Sequence, residues 1–198
     1  MIDFWNQRYS ESHFAYGKSP NDFLAENLPR FDCGKLLFPA EGEGRNAVFA
    51  AKLGHQVTAF DTSEAAKIKA QQLADEMGTH INYEVASFDQ LNFQPHSYDG
   101  LVLIYAHFSK SVRATLHSQF LSCLKPGGFV IFEAFSKEQI QYQSGGPKDP
   151  DMLFSIEEVK VEFNSLSFEL LEKVIINLEE GTYHNGPASV VRFLAIKN

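Results

Sequence analysis

Short apolar runs alternate with amphipathic segments along most of the chain. Five runs of five to seven residues, apolar or rich in β-branched residues, predict strands at residues 35–39, 56–60, 81–86, 98–104 and 129–135. Between these runs, apolar residues recur at helical spacing, over residues 45–53, 63–77 and 109–124. Because strand–helix–strand crossovers are right-handed, this alternation predicts an α/β fold whose first five strands are parallel.

The C-terminal part of the chain breaks the alternation. Two long β-rich runs, at residues 168–178 and 188–196, are separated only by the turn-like stretch 179–187. Two such runs joined by a short turn predict a hairpin, which places one antiparallel strand in the sheet. The polar, glycine- and proline-rich stretch 136–151 is too long for a simple connector and predicts a functional loop.

The first 34 residues precede the first predicted strand. Residues 2–9 are aromatic and predict a short helix, and Ser19 or Asn21 is suited to cap a second helix over residues 22–28. We expect residues 1–34 to form an N-terminal extension of one domain that spans residues 1–198. Its tyrosines are candidates for a lid over a ligand.

A glycine-rich turn links the first strand to the first long helix. Gly42 and Gly44 open a Gly-x-Gly-x-x-Ala pattern, and Asp61 ends the second strand 19 positions after Gly42. Glycines let a ligand approach the backbone, the helix N-terminus offers N–H groups, and the acid can accept ribose hydroxyls. The pattern fits both NAD and S-adenosylmethionine (SAM), but a dinucleotide domain would show a second mononucleotide-binding half in place of the hairpin.

Composition and charge favour small-molecule chemistry. Of 198 residues, 44% are hydrophobic and 13% aromatic, which indicates a globular chain. The net charge of −8 and the absence of a basic stripe argue against a nucleic-acid partner. Cys33 and Cys123 lie far apart, which predicts neither a disulfide framework nor a metal site. Without a signal peptide or an apolar run of about 18 residues, we expect a cytoplasmic protein with no membrane partner.

Several motifs are similar to those of a known enzyme family. The turn with Asp61, and the Leu-Lys-Pro-Gly-Gly run at 124–128 before the fifth strand, resemble class I SAM-dependent methyltransferases. Within that class, the chain resembles the tellurite-resistance and thiopurine methyltransferase-like group. The motifs of this narrower likeness are Phe4-Trp5 with Arg8-Tyr9, Tyr16-Gly17 with Pro20-Asn21, residues 145–149, and His184-Asn185-Gly186.

The resemblance implies a fold and a cofactor site. It implies a Rossmann-like, seven-stranded, mostly parallel sheet in the order 3-2-1-4-5-7-6, with strand 7 antiparallel and helices on both faces. SAM would lie at the carboxyl ends of strands one to four. The residues expected to bind it are Tyr16, Ala40, Glu41, Gly42, Gly44, Asn46, Asp61, Thr62, Ser87, Phe88 and Tyr105.

Individual roles follow from position within the family pattern. Asp61 would bind the ribose hydroxyls, Ser87 and Phe88 would flank the adenine, and Tyr105 would lie near the transferable methyl group. The chain departs from the family at two positions, since Phe38 and Ala40 replace the usual acid and first glycine. In the family that acid helps to hold the amino group of SAM.

The methyl acceptor is expected to be a small molecule, such as a thiol or another soft chalcogen. His107 follows the fourth strand and is the candidate general base, with Tyr105 the second catalytic candidate. Candidate acceptor-binding residues are Arg8, Tyr9, Lys148 and His184. Two alternatives stay open at this point: a nicotinamide-dependent oxidoreductase and a non-catalytic SAM-binding module. The sequence does not indicate the oligomeric state.

Overall fold

A computed structural model describes residues 2–88, 90–91 and 94–198. Within these residues, seven strands form one sheet in the order β3-β2-β1-β4-β5-β7-β6, which confirms the predicted order. The strands are β1 (Lys35–Pro39), β2 (Gln56–Asp61), β3 (Asn82–Val85), β4 (Tyr98–Ile104), β5 (Leu124–Phe135), β6 (Leu166–Glu180) and β7 (His184–Lys197).

Helices supply the crossovers between parallel strands. β1 pairs in parallel with β2, β2 with β3 and β4 with β5, whereas β5 pairs antiparallel with β7. The α-helices are α1 (Ile2–Tyr9), α2 (Asp22–Asn27), α3 (Arg45–Lys52), α4 (Glu64–Glu76), α5 (Lys110–Cys123) and α6 (Ile156–Glu162). Short 3₁₀ turns cover Leu28–Arg30, Lys137–Gln141 and Pro150–Met152.

Side-chain caps begin several helices where the sequence places a cap residue. The side chain of Asn21 accepts from the Leu24 N–H at the start of α2, and that of Ser63 accepts from the Ala66 N–H at the start of α4. Ser155 and Glu158 form a reciprocal capping box at α6. Each cap satisfies N–H groups that have no partner within the helix.

One predicted turn lies within a strand. The sequence predicts a sharp turn at residues 125–128, but β5 already begins at Leu124 and pairs with β4 through an irregular register. Gly128 makes this pairing possible, because a Cβ there would lie 2.9 Å from the carbonyl oxygen of Asp99. Asp99 itself binds the Lys125 ammonium at 2.7 Å.

The chain divides into two compact units, one of residues 1–92 and 180–183, the other of residues 93–179 and 184–198. The first contains β1 to β3, α1 to α4 and the turn between β6 and β7. A cluster of Tyr9, Ala15 and Ala66 buries its N-terminal segment. The second unit contains a core around Phe135, Leu153 and Val190. Each unit thus buries apolar residues of its own.

Candidate functional site

The turn after β1 reverses the chain through left-handed backbone conformations. Ala40, Gly42 and Gly44 have φ angles of 53°, 63° and 87°. A Cβ on Gly44 would lie 2.6 Å from the Cβ of Ala70, so this glycine lets α4 pack against the turn. A Cβ on Gly42 would lie 2.7 Å from the Tyr9 hydroxyl oxygen. Both glycines are therefore required by contacts within the protein.

Asp61 lies at the end of β2, where its carboxylate is fixed by backbone N–H groups. Oδ2 accepts from the Gly42 N–H and Oδ1 from the Ser63 N–H, both at 3.1 Å. Burial raises the pKa of Asp61, while these bonds and those from Thr62 lower it. The structure thus links Asp61, Gly42 and Thr62 directly, and their cofactor-binding roles stay predictions.

Two phenols pack against the same turn. The Tyr83 hydroxyl donates to the Gly42 carbonyl at 2.6 Å, and the buried Tyr9 also lies beside Gly42. Burial and the nearby Asp61 carboxylate raise the pKa of both phenols well above 10, so both stay protonated. Sequence reasoning assigned Tyr9 to the acceptor and missed Tyr83. The inward alternation of Ile81, Tyr83 and Val85 in the third strand could have found Tyr83.

The two acids of the turn have separate structural tasks. Glu41 Oε1 accepts from the N–H groups of Asn46 and Ala47 at 3.0 and 2.8 Å, which caps α3. Burial raises the pKa of Glu41 to about 8. The position of the usual acid, at the end of β1, is taken by the fully buried Phe38. Glu41 does not replace that acid, because its carboxylate faces the start of α3.

Glu43 faces the N-terminal segment. Its carboxylate binds the Lys69 ammonium at 2.7 Å and accepts from the Ala15 N–H at 2.8 Å. Lys69 also donates to the His13 carbonyl at 2.5 Å. This buried pair holds residues 13–16 against α4, and sequence reasoning did not single it out.

Asn46 and its neighbour anchor the segment before α2. The Asn46 side chain accepts from the Asn21 N–H at 2.9 Å, so the predicted cofactor residue binds the protein backbone here. Arg45 pairs with Glu180 at 2.9 Å, and the Asn21 amide donates to Glu180 at 3.2 Å. The turn after β6 is thereby tied to the glycine turn.

Arg8, predicted to contact the acceptor, is engaged with aromatic residues. Its guanidinium lies 3.6 Å from the centroid of the Tyr183 ring and donates to the Tyr16 hydroxyl at 3.2 Å. The Tyr183 hydroxyl in turn donates to Glu11 at 3.0 Å. These contacts join the N-terminal extension to the turn before β7, and the ligand roles of Arg8 and Tyr16 stay predictions.

The expected adenine-flanking residues follow β3. Phe88 packs edge-to-face on Phe60, with 5.7 Å between ring centroids. The Ser87 N–H donates to the Gln90 side chain at 3.1 Å. Phe60 precedes Asp61, so the aromatic pair adjoins the strand end that carries the acid.

A second cluster lies in the other unit, at the ends of β4 and β5. Tyr105 has a φ of 52° and donates its phenolic proton to Glu133 at 2.9 Å. Its ring stacks on Phe135 at 4.6 Å and meets the edge of His184 at 4.7 Å between centroids. The structure therefore brings together Tyr105 and His184, two of the predicted residues, and adds Glu133.

His107, the predicted general base, has both ring nitrogens engaged. Nδ1 lies 2.8 Å from the Met152 carbonyl oxygen, and Nε2 accepts from the Phe135 N–H at 3.5 Å. Burial lowers the pKa of His107 to about 4, so the ring is neutral with its proton on Nδ1. This geometry favours a structural role. Lys148, also predicted to contact the acceptor, is exposed.

Comparison with known proteins gives this geometry a biochemical class. A family model described as a methyltransferase domain matches residues 39–128, which include the glycine turn, Asp61 and Tyr105. Residues 39–128 are thus similar to a methyltransferase domain. Among curated proteins, none matches this sequence.

Several solved structures share the fold of this chain. One, described by the conversion of a disulfide bond into a thioacetal group during echinomycin biosynthesis, has a TM-score of 0.78 and 16% identity and covers 100% of this chain and 89% of its own. TehB from Haemophilus influenzae has a TM-score of 0.74 and 16% identity, and the match covers 100% of this chain and 67% of the TehB chain. The N-methyltransferase NodS from Bradyrhizobium japonicum, in complex with S-adenosylhomocysteine, has a TM-score of 0.72 and 13% identity. The match covers 99% of this chain and 97% of the NodS chain.

At these identities the structural likeness establishes the fold. The family match adds a likeness to methyltransferases over residues 39–128. Among the described residues, no helix is long and apolar enough to cross a membrane. Within that same part of the chain, His, Cys, Asp and Glu residues form no group of three suited to hold a metal ion.

Proposed function

We propose that the protein transfers the methyl group of SAM to a small-molecule acceptor. The observation that carries the proposal is the Asp61 carboxylate, held beside the glycine turn by the Gly42 N–H within the matched methyltransferase domain. A carboxylate fixed in this way at a strand end is suited to accept the ribose hydroxyls of an adenosyl group. The neighbouring Phe60–Phe88 pair offers an aromatic surface to an adenine ring.

The chain's own residues have mainly to bind and align the reactants. When bound, SAM supplies an electrophilic methyl group on a sulfonium. Transfer would form a bond between a lone pair of the acceptor and the methyl carbon as the carbon–sulfur bond breaks, with S-adenosylhomocysteine as the thioether product. Such alignment alone supplies effective molarities of roughly 10⁵–10⁸ M.

The finer proposal concerns the acceptor atom. We propose a soft chalcogen, either a thiol or a related selenium or tellurium compound. Support comes from the resemblance to the tellurite-resistance and thiopurine methyltransferase-like group, and from two fold relatives. One is TehB, and the other is described by the chemistry of a disulfide and a thioacetal.

Calorimetric titration with S-adenosylhomocysteine and, separately, NADH tests the cofactor. We expect micromolar binding of S-adenosylhomocysteine that Asp61→Asn weakens at least about tenfold, since a hydrogen bond to a charged group contributes roughly 1.5–3 kcal/mol. Asp75→Asn, at an exposed position of α4, is the matched control and should bind like wild type. Binding of NADH without S-adenosylhomocysteine would instead indicate a nicotinamide-dependent oxidoreductase.

One observation favours a second candidate, a non-catalytic SAM-binding module. The position of the usual acid is the buried Phe38, and Glu41 is occupied at the start of α3. The module would bind S-adenosylhomocysteine yet transfer no methyl group to any thiol, selenite or tellurite acceptor. Release of S-adenosylhomocysteine from SAM in the presence of one of these acceptors would eliminate this candidate.

A further inference from the structure

The Tyr9 hydroxyl is a hydrogen-bond donor for which the chain supplies no acceptor. Tyr9 ends α1 and is only 6% exposed, and its ring stacks on Trp5 with 5.5 Å between centroids. The hydroxyl lies against Gly42, where an added Cβ would be 2.7 Å from the phenolic oxygen. Among the residues that the structure describes, none forms a hydrogen bond with this oxygen. A polar group held in such a place indicates a partner from outside the chain.

Tyr83, the other phenol beside the glycine turn, provides a contrast. Its hydroxyl donates to the Gly42 carbonyl at 2.6 Å, so its proton is already used within the protein. Burial raises the pKa of both phenols well above 10, and both therefore keep their protons at neutral pH. The Tyr9 oxygen is not fully enclosed, so water or a ligand can reach it. Of these two phenols, Tyr9 is the one that can donate to a ligand.

Contacts within one compact unit fix the Tyr9 phenol close to Asp61. The Ser63 hydroxyl donates to the Asn6 side chain at 2.6 Å, which holds α1 to the start of α4. The Ser63 N–H in turn donates to the Asp61 carboxylate, as does the Gly42 N–H. After burial, the Asp61 carboxylate is the main cause of the raised pKa of Tyr9, as expected for neighbouring groups. The phenol and the carboxylate thus adjoin the same glycine, and both belong to the unit of residues 1–92 and 180–183.

The charges around the phenol limit the kind of group that can bind there. Besides burial, the Asp61 and Glu43 carboxylates raise the pKa of Tyr9, so both lie within electrostatic range of its hydroxyl. Glu43 is paired with Lys69, whereas no lysine or arginine of the described residues forms an ion pair with Asp61. A phosphate or carboxylate group would therefore be repelled by Asp61. A neutral hydroxyl suits both partners, because its proton can go to Asp61 while its oxygen accepts from Tyr9.

We infer that Tyr9 binds the ribose of the adenosyl group, its phenol donating to one of the two ribose hydroxyl oxygens whose protons go to Asp61. Tyr9, predicted from the sequence to contact the methyl acceptor, then contacts the cofactor of the proposed function, on which this assignment rests. Tyr9 and Asp61 together select a ribose hydroxyl by both its proton and its oxygen. A deoxyribose ligand that lacks this hydroxyl would leave the Tyr9 donor without its partner.

Calorimetric titration of wild type and Tyr9→Phe with S-adenosylhomocysteine and its 2′-deoxy and 3′-deoxy analogues tests this bond. Competition against S-adenosylhomocysteine extends the measurement to a weakly bound analogue. We expect Tyr9→Phe to bind S-adenosylhomocysteine about three- to tenfold more weakly than wild type, the range that one neutral hydrogen bond provides. With the analogue that lacks the hydroxyl bound by Tyr9, the two proteins should bind equally, while the loss persists with the other analogue. A loss by the same factor with all three ligands, or no loss with S-adenosylhomocysteine, would overturn the inference.

Tyr83→Phe is the comparison variant, at the same glycine. It removes a phenol that is bonded to the Gly42 carbonyl, so it should lower the Tm of the ligand-free protein and change the affinity for all three ligands by one common factor. Tyr9→Phe removes a donor that has no acceptor in the chain, so its ligand-free Tm should equal or exceed that of wild type. A fall in this Tm as large as that of Tyr83→Phe, or a failure to fold, would show a structural role for the Tyr9 phenol and overturn the inference. Failure of wild type to bind S-adenosylhomocysteine would instead overturn the proposed function.

Discussion

Ala40 occupies a backbone position that favours glycine. Its φ of 53° lies in the left-handed region, which costs an L-residue roughly 1–2 kcal/mol. A glycine would avoid this strain, but it would stabilise the unfolded chain by about 0.4–1 kcal/mol through added conformational entropy. We therefore expect Ala40→Gly to raise the free energy of unfolding by about 0.5–1 kcal/mol in urea titrations. Ala65→Gly, within α4, is the contrasting control and should lower it by about 1 kcal/mol. Equal destabilisation by both changes would contradict the strain argument.

Glu41 should make stability depend on pH. Burial raises its folded-state pKa to about 8 from an ordinary value of 4.5, so the unfolded chain loses this proton first as pH rises. The contribution of Glu41 to stability is complete below about pH 4.5 and declines until about pH 8. Glu41→Gln keeps an oxygen for the N–H groups of α3 and lacks this decline.

Relative to wild type, we expect the free energy of unfolding of Glu41→Gln to rise by on the order of 1–3 kcal/mol between pH 5 and pH 8.5. Each pKa unit corresponds to about 1.4 kcal/mol, and water partly screens the side chain. Urea unfolding across this pH range measures the gain. Glu64→Gln, at the exposed start of α4, should parallel wild type. A constant difference between Glu41→Gln and wild type would show that burial does not raise this pKa.

At the scale of elements, the N-terminal segment depends on α4. Lys69 and Glu43 form a buried pair, and Glu43 also accepts from the Ala15 N–H. Lys69→Met keeps the apolar stem but leaves the Glu43 carboxylate without its cation, which typically costs about 3–5 kcal/mol.

We expect Lys69→Met to lower the free energy of unfolding by about 3 kcal/mol and to speed amide exchange at Ala15 and Tyr16. Hydrogen exchange followed by mass spectrometry or NMR locates the effect. Lys67→Met on the same helix is the control and should leave that exchange unchanged. Destabilisation without faster exchange at these amides would mean that the pair does not anchor the segment.

The elements themselves were largely predictable from the sequence. Strand periodicity, Asn21 as a helix cap and the Gly42–Asp61 spacing are all local signals, so they can be read from neighbouring residues. The residues 125–128 were misinterpreted because a glycine that permits close strand pairing looks in sequence like a turn glycine. Gly128 shows that the decisive contact, with the Asp99 backbone, is made by a residue distant in the chain.

At the scale of the whole molecule, the strand order was predicted but the partners of polar side chains were not. Tyr105 and Glu133 are 28 positions apart, and Arg45 and Glu180 are 135 apart, so no local pattern joins them. The same limit explains why His107 was predicted to be a general base. Its place after β4 suggested a base, whereas its contact with the Met152 carbonyl follows only from the tertiary fold. Sequence identifies candidate residues here, and packing assigns their hydrogen bonds.

The final prediction concerns the stability of the whole chain in the presence of ligand. A ligand that binds only the folded state at about 100 times its Kd stabilises that state by about 2.7 kcal/mol. For a chain of this length, this corresponds to a rise in Tm of about 5–10 °C. We expect scanning calorimetry to show this rise with S-adenosylhomocysteine and none with NADH at the same concentration.

Asp61→Asn should lose most of that rise while Asp75→Asn keeps it, since only Asp61 adjoins the glycine turn. An equal rise in wild type and Asp61→Asn would place the ligand elsewhere. The comparison is informative even if the variant is less stable by itself, because each protein is measured against its own ligand-free Tm. Stabilisation by S-adenosylhomocysteine that depends on Asp61 would therefore locate the cofactor at the end of β2 without requiring that the acceptor be known.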